Sequence, residues 1–320
     1  MKRLRQRVKN ALLYALARGL IAALRTLPVP LVLALGPPLG RLAHLLAVPE
    51  RRRARRNLEA AWPWLSAGLR RRLVRRMFVG LGRSAAECLA LPRLASRLGT
   101  SRSPCRLTPE AEGVLLESLA QGRGVILVTA HYGNWELMAA ALARLAPLAV
   151  LARPSYDPRF TRLIDAERRR HGVRSLWIDG PAHLRGAVRT LRAGQVLGVL
   201  LDQPVDAGER LPFLGRPALT SSIVGWLARL TGSPVVVGTV SAADRRGTIT
   251  LESLPSCAPE ELTRACLATL ERAIARDPAA WLWSLDRWRA ARRKSHASSA
   301  SPTLAPCRKE SGSQVQIAYH

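Results

Sequence analysis

Residues 125–142 read VILVTAHYGNWELMAAAL. Val125 to Thr129 is an unbroken run of strand length, which suits a strand covered on both faces. From about Asn134 the pattern turns helical, and Asn is a residue that caps helix starts. A strand passing directly into a helix is the unit of an α/β sheet, and the unit recurs along the chain. TPEAEGVLLESLAQGRG (108–124) reads as a helix opened by Thr108-Pro109-Glu110, with proline at the favoured first position. LAVLAR (148–153) reads as a second strand, and DPRFTRLIDAERRRHG (157–172) as a helix stopped by Gly172. SLWI, VLGVLL and SPVVVGTV are further short apolar runs, separated by helical stretches such as SSIVGWLARLTG. The expected fold is α/β: a mainly parallel central sheet flanked by helices.

Sites in such sheets gather at the carboxyl ends of strands, where helix N-termini point. His131 follows VILVTA directly, and Glu136 falls in the first turn of the next helix. A carboxylate bonded to one imidazole nitrogen fixes the tautomer, leaves the other nitrogen as a base and stabilises the imidazolium. Glu136 is the expected partner, close enough in sequence to reach back to the ring. No G-x-S-x-G elbow supplies a nucleophile, because GRSAA (82–86) lacks the second glycine. The implied chemistry is therefore direct attack by a substrate hydroxyl on an activated acyl group. Taken alone, the spacing favours a capped helix beside a core histidine. H-E-x-x-H is missing, and His44, His171 and His183 lack ligand spacing, so neither a metal nor another cofactor is expected.

The charge balance is unusual. Fifty Lys+Arg against 22 Asp+Glu gives +28 over 320 residues. Lys2, Lys9, Lys294 and Lys309 account for the lysines, so 50 − 4 = 46 are arginine. Such a surface attracts nucleic acid, anionic membrane or an acidic partner. A non-enzymatic coat for nucleic acid would interleave arginines with stacking aromatics, yet aromatics are only 5%. Nucleic acid is therefore not an expected partner. Five cysteines, odd in number and without a C-x-x-C pair, suggest a reduced, cytosol-facing protein.

Four segments are expected. Residues 1–50 begin with basic Lys2 to Lys9 and continue through two apolar stretches, Ala11 to Leu27 and Leu31 to Val48. Pro28, Pro30, Pro37 and Pro38 interrupt them, so neither supplies the roughly 20 unbroken apolar residues of a spanning helix. Basic residues on both sides give no direction of crossing. An interfacial helix or shallow hairpin on anionic lipid is expected, with a soluble helical hairpin as the alternative. Residues 51–107 read as a basic helical segment, 108–292 as a catalytic domain, and 293–320, rich in Ser, Pro and Ala, as a disordered tail.

Six blocks occur in one order: HYGNWE, ARPSYDP, ERRRHG, LRAGQVLGVLLDQP, LPFLGRPALTSSIVGWLARLTGSPVV and DPAAWLWSLDRW. The series resembles the lipid A biosynthesis acyltransferases, the lauroyl/myristoyl transferase branch of the lysophospholipid acyltransferase superfamily, over about residues 108–290. The resemblance implies a glycerolipid acyltransferase-like fold and an inner-membrane enzyme whose catalytic domain faces the cytoplasm. It implies an acyl chain donated by acyl carrier protein or acyl-CoA to a hydroxyl of a phosphorylated lipid A precursor. It makes His131 the general base and Glu136 its orienting partner. Asn134, Arg153, Arg168 and Asp202 become substrate-binding candidates: Asn134 shapes the turn, the arginines meet phosphate or acyl carbonyl, and Asp202 is the acid of the DQ block. Two departures bear on the acceptor. The last block has Ser284-Leu285-Asp286 where the family usually carries a histidine, and VDAGERLPFLGRP replaces a glycine-rich loop. Another glycolipid or an amino-acid lipid is the alternative acceptor.

Overall fold

The computed structural model describes residues 2–100, 103–241 and 246–289. The expected disordered tail lies outside the described residues.

Four helices come first: α1 (Lys2–Thr26), α2 (Val29–Leu46), α3 (Val48–Ala61) and α4 (Ala67–Leu94). The α/β part begins with β1 (Cys105–Leu107), α5 (Pro109–Ala120), β2 (Val125–Thr129) and α6 (Trp135–Leu142). It continues through β3 (Leu148–Ala152), α7 (Pro158–Arg170), β4 (Val173–Trp177), α8 (Ala182–Arg192) and β5 (Val196–Leu200). A hairpin, β6 (Glu209–Phe213) and β7 (Arg216–Thr220), precedes α9 (Ile223–Thr231), β8 (Val235–Ser241), β9 (Gly247–Ser253) and α10 (Pro259–Arg276).

Seven strands form one sheet in the order β1-β9-β8-β2-β5-β3-β4. Every pairing is parallel except β8 with β9. The central strand β2 is buried along its whole length. Its side chains alternate between two apolar layers. Ile126 and Val128 face α8, α9, α10 and the tryptophans Trp281, Trp283 and Trp288, while Val125 and Leu127 face α5 and α6. The capped starts match local chemistry: Thr108 Oγ1 accepts from Ala111 N–H, and Asn134 Oδ1 accepts from Leu137 N–H at 3.1 Å.

The N-terminal prolines do not divide the second apolar stretch. Helix α2 runs through Pro37 and Pro38 and, among the described residues, is the one helix long and apolar enough to cross a membrane. The two prolines remove two backbone donors inside the helix, which packs closely on α4. Gly36 and Gly40 meet α4 backbone to backbone: a Cβ at Gly40 would sit 2.3 Å from the Phe78 carbonyl oxygen, and one at Gly82 2.3 Å from that of Gly36. Val32, Ala86, Ala90 and Leu94 close this contact as a small apolar core. The opposite side of α2 shows Leu31, Leu39, Leu42, Leu45 and Leu46 to the outside.

Candidate active site

Strands β2 and β5 are parallel neighbours with Thr129 opposite Leu200. The pairing continues one step further, since Leu201 N–H donates to the Thr129 carbonyl at 2.9 Å. Two residues past each strand, His131 and Asp202 therefore arrive side by side. Asp202 is completely buried. One carboxylate oxygen meets His131 Nδ1 at 3.0 Å. The other accepts from the His131 backbone N–H and from Trp281 Nε1–H, each at 2.8 Å. An isolated buried carboxylate would be strongly unfavourable, and these contacts satisfy it.

The electrostatics follow. Burial would push the Asp202 carboxyl up, but the His131 charge, its hydrogen bonds and the Trp281 N–H outweigh it and leave the pKa below the usual value. Burial would likewise lower the pKa of His131, yet the Asp202 charge and hydrogen bond, with help from Glu136, raise it. With Asp202 ionised, Nδ1 carries the proton and donates it to the carboxylate, so Nε2 holds the free lone pair. Nε2 has no hydrogen-bond partner among the described residues, and the ring edge packs on Trp135 at 4.8 Å.

The loop that carries His131 is fixed from behind. Leu282 N–H donates to the His131 carbonyl and Gly133 N–H to that of Ala280, both at 3.0 Å. Gly133 has φ +61°, and a Cβ there would lie 2.0 Å from the Val240 carbonyl oxygen. Only glycine fits. Asn134, besides capping α6, donates from its amide to Glu87 at 2.8 Å, and burial raises the pKa of that carboxyl.

The expected bond between Glu136 and the imidazole is absent. Both Glu136 oxygens are held by the Arg168 fork, from Nε at 2.9 Å and Nη2 at 2.5 Å. The first turn of α6 aims Glu136 toward α7, whereas Nδ1 of His131 faces the β5 side. Glu136 reaches the ring through its charge alone. Asp202, expected to touch substrate, is instead the buried partner of the histidine. Arg168 is tied up by Glu136 and lies over Trp177. Arg153, at the carboxyl end of β3, is exposed and has neither an ion pair nor a side-chain hydrogen bond among the described residues. The residues that the sequence did not single out are Trp281 and Glu87. Trp281 lies 79 positions from Asp202 in the chain, and no local pattern announces such a contact. Among the described residues no group of three or more His, Cys, Asp or Glu could hold a metal ion.

An imidazole with one nitrogen tied to a buried carboxylate and the other open can remove a proton from a hydroxyl. The family model described as bacterial lipid A biosynthesis acyltransferase matches residues 2–290. The chain is 28% identical over 272 residues to a lipid A biosynthesis palmitoleoyltransferase of Escherichia coli (strain K12), covering 80% of this chain and 84% of that protein. A lipid A biosynthesis acyltransferase of Shigella flexneri matches at 28% with the same coverage. A lipid A biosynthesis lauroyltransferase of Escherichia coli (strain K12) is 26% identical over 280 residues, 83% of this chain and 87% of that protein.

Proposed function

The chain belongs to the bacterial lipid A biosynthesis acyltransferase family, and from that premise we propose a donor, a general base and a setting for its acyl transfer. The donor is the thioester of acyl carrier protein or acyl-CoA, and the acceptor is a hydroxyl of a phosphorylated lipid A precursor. Nε2 of His131 takes the proton as the hydroxyl oxygen attacks the thioester carbonyl. The tetrahedral oxyanion collapses, the carbon–sulfur bond breaks, and the imidazolium returns its proton to the departing thiolate. Asp202 holds the ring in the required tautomer and stabilises the imidazolium, as a carboxylate does in other histidine-based sites. Arg153 steadies the oxyanion or grips a substrate phosphate.

The observation that carries this reading is the pairing of His131 with fully buried Asp202 at the end of the central strands. The setting is the cytoplasmic side of the inner membrane. It is supported by the exposed leucines of α2, by Leu12, Leu16 and Leu20 on α1, and by a net charge of +28 that suits anionic lipid and an acidic carrier. The test is to incubate the purified enzyme with acyl carrier protein thioester or acyl-CoA and a lipid A precursor, and to weigh the lipid products. A gain of one acyl group is expected. With His131→Ala the yield should fall on the order of 10²- to 10⁴-fold, the worth of general-base catalysis. Full turnover by the folded variant would refute the assignment.

A further inference from the structure

Behind the His131 loop lies a second concavity of about 420 Å³, walled by α4, the end of β8 and residues 277–282. This is within the range of small-ligand pockets, about 300–1,000 Å³. None of His131, Asp202, Glu136 or Arg168 lines it. Four arginines do: Arg41 from α2 and Arg75, Arg76 and Arg83 from α4. None of the four makes an ion pair or a side-chain hydrogen bond among the described residues. What distinguishes them from other exposed arginines is that they converge on one recess, Arg83 half-buried within it. Two acids share the wall, Glu87 and Asp277. Glu87 is engaged by the Asn134 amide. Arg83 also acts on Glu87 through its charge, and four cations against two acids still leave the recess positive, so it favours an anionic occupant.

We propose that this cleft is a phosphate-binding subsite for a lipid headgroup, filled from the bilayer side while the acyl transfer proceeds on the other side of the loop. A recess of this size suits a headgroup rather than a folded protein surface. Arg41 rises from the same helix that exposes Leu39, Leu42, Leu45 and Leu46. A lipid whose chains meet those leucines would present its phosphate at the arginines. Arginine forks match phosphate oxygens in a bidentate way. The inference rests on the acyltransferase reading only for the identity of the lipid. The phosphate is either that of the acceptor or that of a bulk anionic phospholipid.

The test compares two double variants with equal charge loss, Arg75→Gln/Arg83→Gln in the cleft and Arg185→Gln/Arg192→Gln on the exposed side of α8. The full chain is titrated with phosphatidylcholine nanodiscs with and without phosphatidic acid. The cleft variant should lose at least tenfold in the preference for phosphatidic acid, and the control less than about twofold. Arg75→Lys/Arg83→Lys, which keeps the charge and guards against misfolding, should recover part of it. A second arm measures KM for a phosphorylated acceptor and for the same acceptor after phosphatase treatment. A rise in KM confined to the phosphorylated form assigns the phosphate to the acceptor, and weaker nanodisc binding with unchanged KM assigns it to a bilayer lipid. Equal losses in both double variants, or no loss in either, overturn the proposal. A wild-type chain that binds phosphatidic acid through the cleft yet acylates no precursor would refute the acyltransfer reading and leave this one standing.

Discussion

At the scale of single residues, Asp202 governs the protonation of His131. Its charge and hydrogen bond hold the imidazole pKa above the ordinary value against burial, which alone would lower it. The proposed base must be neutral to act, so activity should rise with pH as His131 loses its proton. Asp202→Asn removes the charge while keeping the shape. Burial then dominates, and the acid limb of the rate profile should move to lower pH. Turnover should also fall at least about 100-fold, because the tautomer and the imidazolium lose their support. An unmoved limb in a pH series would deny Asp202 this part. Arg153 is the second residue to test. Lysine keeps the charge but loses the planar fork, so Arg153→Lys should cut acyl transfer at least tenfold, about 1.4 kcal/mol of transition-state stabilisation. Arg52→Lys, on the exposed side of α3, should change little in the same acyl-transfer assay. Equal, small effects at both positions would make Arg153 one more part of the basic surface.

Among the elements, the contact between α2 and α4 depends on glycines that no side chain can replace. Gly40→Ala would drive a Cβ into the Phe78 carbonyl and should destabilise the fold by about 1–3 kcal/mol, as overpacking does. Gly80 on α4 has open space around it. Gly80→Ala should be neutral or stabilising by about 0.5–1 kcal/mol, the helix preference of alanine. Thermal melts of both variants check the contrast. Much of this architecture was legible in the sequence. VILVT, LAVLA and VLGVL are buried strands with strong local patterns, and Thr108 and Asn134 cap the helices that follow them. The strands β1, β6, β7 and β9 were not legible, and β1 falls at the end of the segment expected to be helical. They are partly exposed, and their pairing depends on neighbours far along the chain. The histidine was legible because a strand end is a local property. Its partner was not, because which strand lies beside β2 is set by sheet order, and 71 positions separate His131 from Asp202. Glu136 attracted attention by proximity in sequence, while Arg168, on the next helix, claims both of its oxygens.

For the whole molecule, charge and apolar surface act together at the N-terminal end. Charge attraction weakens as salt screens it, with a Debye length of about 3 Å at 1 M, whereas apolar burial persists. High salt should therefore release little of the protein from membranes. Leu39→Ser, Leu42→Ser and Leu46→Ser together should move much of it to the soluble fraction, because each of these side chains faces outward and none holds the core. Complete release of the unaltered protein by salt would contradict an apolar anchor. The contact between Trp281 and Asp202 carries a consequence for local unfolding. Residues 281 and 282 complete the carboxylate's hydrogen bonds and brace the His131 loop. Loosening that stretch would release the imidazole and strip its carboxylate of a donor at one stroke, while the buried strands stay paired. The histidine pair is thus the part of the fold that should fail first on heating, ahead of the sheet that carries it.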